Sequence, residues 1–533
     1  MKRIGDLLLT VSFCLALNPV WGEGVVRGQP PASGLSSVEA SAAETAPKES
    51  DPSKPGDAVP STKDAATSPA AESTVVAAPV VPHQRLKVSD NGRYLTDVSG
   101  KPFFYLADTA WELFHRLNRE EAALYLDDRA SKGFTVIQAV ALAELDGLNT
   151  PNAYGHRPLI ENDPTRPDVR PGRADDYWDF VDDVIKMAEE RGLFIALLPT
   201  WGDKWAKKHG IGPEIFNPVN AEAYGEWLGR RYREAPVIWV LGGDRDPENE
   251  VQVEIIRAMA RGLEKGDGGA HLKTYHPQGT SNSAQIFHAD EWLDFNMIQS
   301  GHVRPVRPNS IDAQKNLNRT PTKPTLDGEP CYEDHPIKGE DWNKRDESGS
   351  DVKWFDEADV RRCAYESMIA GACGHTYGNH NIWQFWQPDR KPISLARTPW
   401  QKALHHPGAT QMKYLKGLLT ARPFWELRYD PSLIVKDEAA EENGAHAALA
   451  QDGAFALVYL PTGSPCTIRL DKISGTNVDA YWFNPRQNTA QKFGTFPKSA
   501  ELPVIPPHSG RNNDWVLILE DSSRTFDRVG DSY

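Results

Sequence analysis

The amino-acid sequence predicts an α/β fold, a (β/α)8 TIM barrel followed by a small C-terminal β-sandwich. Between residues 83 and 426, short apolar runs alternate with polar loops and amphipathic segments, which is the order of elements in such a barrel. The runs are apolar at nearly every position, as expected of parallel strands that are buried on both faces. After residue 427 the runs are short and separated by turns, which is typical of a β-sandwich.

The barrel elements follow one another along the chain, after a hairpin whose turn is predicted at residues 97–100. The predicted strands are 103–107, 134–140, 193–198, 237–241, 272–275, 295–299, 324–327 and a segment within 374–385. The predicted helices are 118–132, 174–191, 221–234, 248–265, 357–369 and 411–419, with a short helix near Ala289. Strands five and six are weakly marked, so an open, doubly wound sheet is the alternative.

The sandwich is predicted over residues 427–522, followed by a tail, 523–533. Its predicted strands are 432–435, 447–450, 454–460, 466–470, 478–483 and 515–519.

The N-terminal residues predict export to the periplasm or the outside of the cell. Residues 1–22 begin with Lys2 and Arg3 and continue with an apolar stretch, the pattern of a signal peptide. A membrane anchor and a lipoprotein at Cys14 are weaker alternatives, because the stretch is short and a bulky Phe13 precedes the cysteine. Residues 23–82 are rich in Ala, Pro, Ser and Thr and are interpreted as a flexible linker.

Charge and motif content exclude several classes of protein. The formal charge is 59 − 74 = −15, and without a block of Lys and Arg this argues against nucleic acid as a partner. After residue 22 no apolar run approaches the roughly 20 residues that span a bilayer. No glycine-rich nucleotide motif follows a strand, and the histidine and cysteine spacings do not fit a metal site, so no cofactor and no metal are predicted. The four remaining cysteines could pair or stay as buried thiols.

Polar residues that directly follow the strands are the candidates for function, because barrel active sites lie at the C-terminal ends of the strands. Carboxylates and amides can bind hydroxyl groups, and indole rings can stack on the faces of sugars. The predicted substrate-binding residues are Asp108, Trp111, Glu144, Trp201, Trp205, His276, Gln299, His302, His375, Tyr377, Asn379 and Trp383.

Asp244 and Glu329 form the predicted catalytic pair. Asp244 follows strand four, Glu329 follows strand seven, and glycines precede both. Glycoside hydrolysis requires two carboxyl groups, one protonated and one ionised, across the scissile bond. The structural alternatives are a pair of Asp244 with Arg245 or a helix cap, and a loop or calcium-binding role for Glu329.

Four motifs resemble the apiosidase-like family, glycoside hydrolase family 140. They are residues 104–111, 237–244, 327–333 and 374–378, and residues 481–486 resemble the signature of the collagen-binding-type β-domain that follows the barrel in this family. The resemblance implies removal of apiose from the galacturonic acid backbone of the pectin rhamnogalacturonan II. It also implies catalytic carboxylates at the positions of Asp244 and Glu329.

The sequence therefore predicts a secreted glycoside hydrolase with an oligo- or polysaccharide substrate. A retaining mechanism would have Glu329 as nucleophile and Asp244 as acid and base, with the carboxyls about 5–5.5 Å apart, and a larger separation would indicate inversion. Arg157, Arg304 and His302 are hypothesised to meet an acidic aglycone. The alternatives are a glycosidase for another plant or algal glycan and a non-catalytic carbohydrate- or surface-binding protein.

Overall fold

The computed structural model describes residues 85–172, 175–208, 210–303, 308–337 and 352–532. The predicted signal peptide and linker, residues 1–82, lie outside these ranges. Within them, no helix combines the length and the apolar character needed to cross a membrane.

A small antiparallel sheet precedes the barrel. Its strands are β1 (Leu86–Val88), β2 (Leu95–Asp97) and β3 (Pro102–Phe103). Leu95 pairs with Phe103 and Thr96 with Pro102, which confirms the predicted hairpin. The chain enters the barrel directly from this hairpin.

The next nine strands form one mostly parallel sheet that is nearly closed on itself. The strands are β4 (Tyr105–Thr109), β5 (Val136–Val140), β6 (Phe194–Leu198), β7 (Val237–Gly242), β8 (Lys273–His276), β9 (Ser281–Asn282), β10 (Asn296–Gln299), β11 (Thr325–Asp327) and β12 (Gly374–Tyr377). Their order is β8-β7-β6-β5-β4-β12-β11-β10-β9, and only β9 runs antiparallel to its neighbour.

Contacts between β8 and β10 bring the ends of this sheet together. The amide of Asp294, just before β10, donates to the carbonyl of Lys273 in β8 at 2.9 Å. The hydroxyl of Thr274 donates to the carbonyl of Phe295 at 2.6 Å. The eight parallel strands are those predicted. The predicted barrel is therefore confirmed, and the alternative of an open, doubly wound sheet is wrong.

Helices accompany most of the strands. They are α1 (Leu113–Arg116), α2 (Arg119–Ser131), α3 (Tyr177–Glu190), α4 (Pro218–Arg231), α5 (Glu250–Asp267), α6 (Asn309–Leu317), α7 (Glu357–Ile369), α8 (Trp400–Ala403) and α9 (Pro407–Thr420). Asn118 caps α2 by accepting from the amide of Glu121, as its position before the helix predicts.

One helix prediction is wrong. The predicted short helix near Ala289 is replaced by a single 3-10 turn at Ser283–Gln285, and α6 was not predicted. The buried side of α6 includes Asn309, Asp312 and Asn316, and no side chain caps its first turn. The helix therefore lacks both the helical spacing of apolar residues and the N-terminal capping residue from which a helix is predicted in a sequence.

Side chains of the barrel strands alternate between two cores. In β4, Tyr105 and Ala107 belong to the cluster inside the barrel, whereas Leu106 belongs to the cluster between the barrel and its helices. Because successive side chains of a strand point to opposite faces, a polar residue at the end of a strand reaches the cavity only at every second position.

The C-terminal domain consists of two packed sheets, in which only the pair of β19 and β22 is parallel. Its strands are β13 (Leu427–Tyr429), β14 (Ile434–Asp437), β15 (His446–Ala450), β16 (Phe455–Leu460), β17 (Cys466–Arg469), β18 (Asn477–Asn484), β19 (Thr489–Pro497), β20 (Glu501–Val504), β21 (Trp515–Asp521) and β22 (Asp531–Ser532). The larger sheet has the order β13-β15-β16-β21-β18-β19-β22 and the smaller one β14-β17-β20. A shared apolar core lies between them.

All six predicted strands of this domain are present, and four further strands were not predicted. β19 is one of them, because its residues are mostly exposed or half-buried and its sequence carries no apolar run. β22 lies in the predicted tail and pairs with β19, so the end of the chain contributes to the sheet.

The barrel and the sandwich share a buried interface. Arg361 of α7 lies with Nη2 2.7 Å from Oδ1 of Asp514, and the rings of Tyr365 and Tyr459 stack with centroids 5.0 Å apart. The four cysteines of the described ranges are buried free thiols.

Candidate active site

A cavity of about 600 Å³ opens at the C-terminal ends of the barrel strands, a size typical of ligand-binding sites. The structure brings eight of the predicted site residues to its wall: Trp111, Glu144, Trp201, Asp244, Gln299, His302, Glu329 and Trp383. They come from the ends of seven different strands, so distant parts of the chain meet at one place.

Glu329 is held by two histidines. Its Oε1 lies 3.0 Å from Nε2 of His302, and its Oε2 lies 3.1 Å from Nε2 of His276. His276 ends β8 and His302 follows β10, so both rings reach Glu329 from neighbouring strand ends. Glu329 itself is 6% exposed, and its exposed part faces the cavity.

Backbone amides determine which ring nitrogen of each histidine carries a proton. Nδ1 of His276 lies 3.2 Å from the amide nitrogen of Asp244, and Nδ1 of His302 lies 3.4 Å from that of Tyr332. An amide can only donate, so each Nδ1 accepts and each neutral ring carries its hydrogen on Nε2. The Nε2–H of His302 is therefore hydrogen-bonded to Oε1 of Glu329, and the Nε2–H of His276 lies beside Oε2 without the geometry of a hydrogen bond.

These contacts keep Glu329 ionised. Burial by itself raises the pKa of a carboxyl group, but the contacts with His276 and His302 outweigh burial and hold the pKa of Glu329 well below its usual range. The side chain is a carboxylate at any pH at which the protein would work, as a nucleophile requires.

Asp244 has the opposite electrostatic environment. Burial and the nearby charge of Glu329 raise its pKa, against the opposing effects of Arg245 and His276. About one third of its side-chain surface is exposed. Protein surrounds the rest of the side chain, and the exposed part faces the cavity. Two carboxyls of one cavity whose pKa values are driven apart are suited to the roles of base or nucleophile and of acid.

The backbone before Asp244 explains why a glycine stands there. Gly243 has φ +92°, a conformation that side chains disfavour. A Cβ on Gly243 would lie 2.7 Å from the amide nitrogen of Gly202 and 2.9 Å from Cα of Trp201. Asp244 also has a positive φ of 57°. The close approach of two loops thus directs Asp244 into the cavity.

Indole rings form the aromatic part of the cavity wall. The rings of Trp111 and Trp201 lie 5.3 Å apart, and Trp111 meets His276 edge to face, also at 5.3 Å. Trp383 donates from its indole nitrogen to Nδ1 of His380 at 3.2 Å. The rings are fixed by these contacts before any ligand binds, which lowers the entropic cost of binding.

Glu144 is a third carboxyl of the cavity. Burial, together with the negative charges of Glu112, Asp244 and Asp203, raises its pKa well above the usual range. A protonated carboxyl can donate as well as accept a hydrogen bond, so Glu144 is suited to binding a hydroxyl group.

Comparison with known proteins agrees with this geometry. Residues 89–426 match the family model "Apiosidase-like, catalytic domain", which covers more than half of the chain. The chain belongs to the apiosidase-like family. Residues 429–520 match a second model, "Putative collagen-binding domain of a collagenase". A search of curated proteins gives no match.

Solved structures of glycoside hydrolases resemble most of this apiosidase-like chain. One, titled "Glycoside hydrolase", is 34% identical over 83% of this chain and 98% of its own, with a TM-score of 0.75. Another, titled as a glycoside hydrolase family 5 from Bacteroides vulgatus, is 34% identical over 83% of this chain and 94% of its own, also with a TM-score of 0.75. The chain is therefore a glycoside hydrolase.

Three of the predicted binding residues face away from the cavity of the apiosidase-like barrel. Asp108 accepts from Tyr125 and Arg129, each at 2.6 Å, in the layer between barrel and helices. Tyr377, its neighbour in β12, donates to Glu333 at 2.5 Å. His375 is also absent from the cavity wall, and burial lowers its pKa to about 3. These three predictions are wrong because side chains alternate between the two faces of a strand, so a polar residue at a strand end does not always face the cavity.

Three further predicted residues do not line the cavity. The indole nitrogen of Trp205 donates to the carbonyl of Gly242 at 3.0 Å, so this ring supports the turn before Asp244. The amide of Asn379 lies 2.9 Å from Nδ1 of His406. His276 touches Glu329 from behind the cavity wall and acts through it. Arg157 is exposed and is not in the wall, and Arg304 lies outside the described residues.

Some residues of the wall were not predicted from the sequence. The most informative are Tyr332 and His335. The ring of His335 stacks on that of His302 with centroids 4.1 Å apart, which orients the imidazole that contacts Glu329. Tyr332 and His335 follow Glu329 by three and six residues, and this proximity was the signal available in the sequence.

Proposed function

We propose that the protein is a retaining glycosidase that removes apiose, or a related pentose, from a pectic polysaccharide such as rhamnogalacturonan II. Membership of the apiosidase-like family supports the sugar, and the cavity supports the reaction. The observation that carries the mechanism is that Asp244 and Glu329, from different strand ends, meet in the wall of one cavity, and their opposite pKa shifts support it.

The first step forms a bond between the enzyme and the sugar. A carboxylate oxygen of Glu329 attacks the anomeric carbon, and Asp244 gives its proton to the departing glycosidic oxygen. The products of this step are a glycosyl ester on Glu329, a free hydroxyl on the remaining polysaccharide and an ionised Asp244.

The second step releases the sugar. Asp244, now ionised, takes a proton from a water molecule, whose oxygen attacks the anomeric carbon and frees Glu329. The proton then stays on Asp244, because burial and the restored charge of Glu329 again favour its protonated form. The two inversions retain the anomeric configuration, and this requires carboxyl groups about 5–5.5 Å apart.

The histidines keep the nucleophile in place during both steps. His302 donates to Oε1 of Glu329, and Nε2 of His276 lies 3.1 Å from Oε2. The backbone amides bonded to both rings prevent the rings from turning. A nucleophile held in this way is close to its attacking position before the substrate arrives.

We also propose that the enzyme works outside the cytoplasm, in the periplasm or the medium. The basic start and the short apolar stretch of residues 1–22 support export. Expression of the full chain in a Gram-negative host, followed by N-terminal sequencing of the protein from the periplasmic fraction, tests this. An uncleaved N-terminus in the cytoplasmic fraction would contradict it.

Digestion of rhamnogalacturonan II with identification of the released monosaccharide tests the substrate. We expect apiose from the wild-type protein and no release from Glu329→Gln. A panel of aryl glycosides and other plant and algal glycans is digested in parallel. Release of a different sugar would keep the reaction and replace the substrate, and NMR of the first product formed distinguishes retention from inversion.

A further inference from the structure

The C-terminal sandwich contains a groove of its own, separate from the catalytic cavity. Its volume is about 360 Å³, within the usual range for small-ligand sites. The end of β18, the start of β19 and the segment that leads into β21 form its walls. We call it the sandwich groove, and no catalytic residue proposed above belongs to it.

Two indole rings line the sandwich groove and are fixed by packing. The rings of Trp482 and Trp515 lie 6.2 Å apart at an angle of 71°. Phe493 stacks on Trp482 with centroids 5.5 Å apart, and the guanidinium of Arg486 lies 5.0 Å from the centre of the Trp515 ring. A ligand would therefore meet a wall that is already ordered, which lowers the cost of binding.

Several hydrogen-bonding groups of the groove have no bond to other described residues. They are the indole nitrogen of Trp482, the side-chain nitrogen Nε2 of Gln487, the side-chain amide of Gln491 and the ring nitrogens of His508. Gln487, Gln491 and His508 are exposed, so water satisfies them in the free protein. Together they offer donors and acceptors of the kind that bind the hydroxyl groups of sugars.

The charges of the groove favour a ligand rich in hydroxyl groups over a charged one. Its arginine, Arg486, is already paired with Asp514, with Nη1 3.2 Å from Oδ1. Among the described lining residues, no other lysine, arginine or carboxylate is present. Neutral hydroxyl groups would lose little hydration on entering such a groove, because amide and indole groups replace the lost water contacts.

The strand edge beside the groove argues against an extended peptide. Peptides commonly add a strand to an open sheet edge. Here Thr489 and Ala490 of β19, which line the groove, are already paired with Asp531 and Ser532 of β22. A single extended peptide would find no free edge beside these two residues.

We propose that the sandwich groove is a second carbohydrate-binding site, which holds a neutral stretch of the polysaccharide while the barrel acts on it. The proposal rests on the chain being a glycoside hydrolase and does not depend on which sugar the barrel releases. Because the groove and the barrel belong to one chain, binding at the groove raises the local concentration of polymer at the cavity.

Affinity electrophoresis of the full chain tests the proposal. The Glu329→Gln background prevents hydrolysis, and the native gels contain rhamnogalacturonan II, xyloglucan or arabinogalactan. We expect at least one polysaccharide to retard the protein, and Gln487→Ala/Gln491→Ala/His508→Ala to weaken retardation by about tenfold, the cost of losing one or two hydrogen bonds. Glu501→Ala, an exposed change in the smaller sheet, is the matched control and should keep full retardation.

A kinetic comparison separates this site from the catalytic one. In the active enzyme, the triple variant should keep the wild-type rate on a small aryl glycoside and show a several-fold higher KM on polymer. Trp482→Phe keeps an aromatic ring against Phe493 and removes the indole N–H together with part of the ring system, so it should weaken retardation while the chain stays folded.

Three results would overturn the proposal. The first is equal retardation of the triple variant and the wild type. The second is no retardation by any of the polysaccharides while the wild-type protein still hydrolyses the aryl glycoside. The third is binding of a triple-helical collagen peptide, in place of polysaccharide, that is lost in the triple variant. Loss of hydrolysis in the wild-type protein on every substrate, with retardation intact, would instead contradict the proposed function.

Discussion

Nε2 of His276 lies 3.1 Å from Oε2 of Glu329, while Nδ1 of the same ring lies 3.2 Å from the amide nitrogen of Asp244. One imidazole thus joins the two residues that we propose as catalytic. The ring holds the nucleophile with one nitrogen and positions the backbone of the acid with the other. The spacing of the two carboxyl residues therefore depends on a residue that does not line the cavity.

The roles of the two carboxyls can be separated by the leaving group. Asp244→Asn should lower kcat/KM by about 10²–10⁴-fold on a sugar leaving group, the usual contribution of a general acid. For a dinitrophenyl glycoside, the rate of the first step should fall much less, because the dinitrophenolate oxygen leaves without being protonated. Glu329→Gln should abolish turnover of both substrates.

The matched control for these variants is Glu291→Gln, an exposed carboxyl outside the cavity, which should behave as wild type. Equal losses on both substrates for Asp244→Asn would contradict its role as the acid.

Removal of one histidine should move the pH profile in a defined direction. His302→Ala takes one N–H donor from Glu329, so the pKa of Glu329 should rise. The acidic limb of kcat/KM should then move to higher pH, by about one pH unit for the loss of one hydrogen bond to the charged form. His405→Ala, an exposed histidine, serves as the control, and an unmoved acidic limb in His302→Ala would argue against Glu329 as the ionised group.

Gly243→Ala should impair both stability and activity. The added Cβ would lie 2.7 Å from a backbone atom of Gly202, and a backbone contact cannot be relieved by a change of rotamer. We expect a loss of about 1–3 kcal/mol in the free energy of unfolding, with a fall in kcat because Asp244 is displaced. Gly155→Ala is the matched control, since Gly155 also has a positive φ but nothing lies within 4 Å of its Cβ position. Similar effects in both variants would mean that φ strain alone is responsible.

Glu333 should make stability depend on pH. Burial raises its pKa to about 7, against the opposing hydrogen bonds of Tyr377 and Gly408. The folded state therefore binds this proton more tightly than the unfolded state, and its contribution to stability is full below about pH 4.5 and is lost as the pH rises to about 7. Glu333→Gln should flatten this part of a plot of Tm against pH. A slope unchanged by the substitution would show that other groups cause it.

Arg361 should be important for the docking of the sandwich on the barrel. Its guanidinium is buried and contacts both oxygens of Asp514, at 2.7 and 3.1 Å. Arg361→Ala leaves the buried carboxylate of Asp514 with Arg486 as its remaining cation, so we expect a loss of at most about 3–5 kcal/mol, the range for a buried pair that loses one partner. Chemical denaturation should show this loss, and Arg361→Ala/Asp514→Asn should recover part of it. A cost below about 1 kcal/mol would place the pair among weak surface pairs.

The sequence by itself determined the architecture of this protein. Buried strands such as Val237–Gly242 are apolar throughout, and a cap such as Asn118 marks where a helix begins, so eight strands and most helices could be located. It also determined the catalytic pair as candidates, because a carboxyl group after a glycine at a strand end is visible in the chain. α6 and β19 were missed since their exposed or polar positions carry no apolar period.

Only the tertiary structure decided which polar residues reach the cavity and what charge they carry there. Asp108 and Tyr377 follow strands as Asp244 does, yet their side chains point to the helices, because alternation along a strand depends on a register that the sequence does not state. The two histidines of Glu329 come from different strands, and a pKa depends on neighbours that are close in space and distant in the chain. For the same reason the sandwich groove became visible only once β18, β19 and the segment before β21 were brought together.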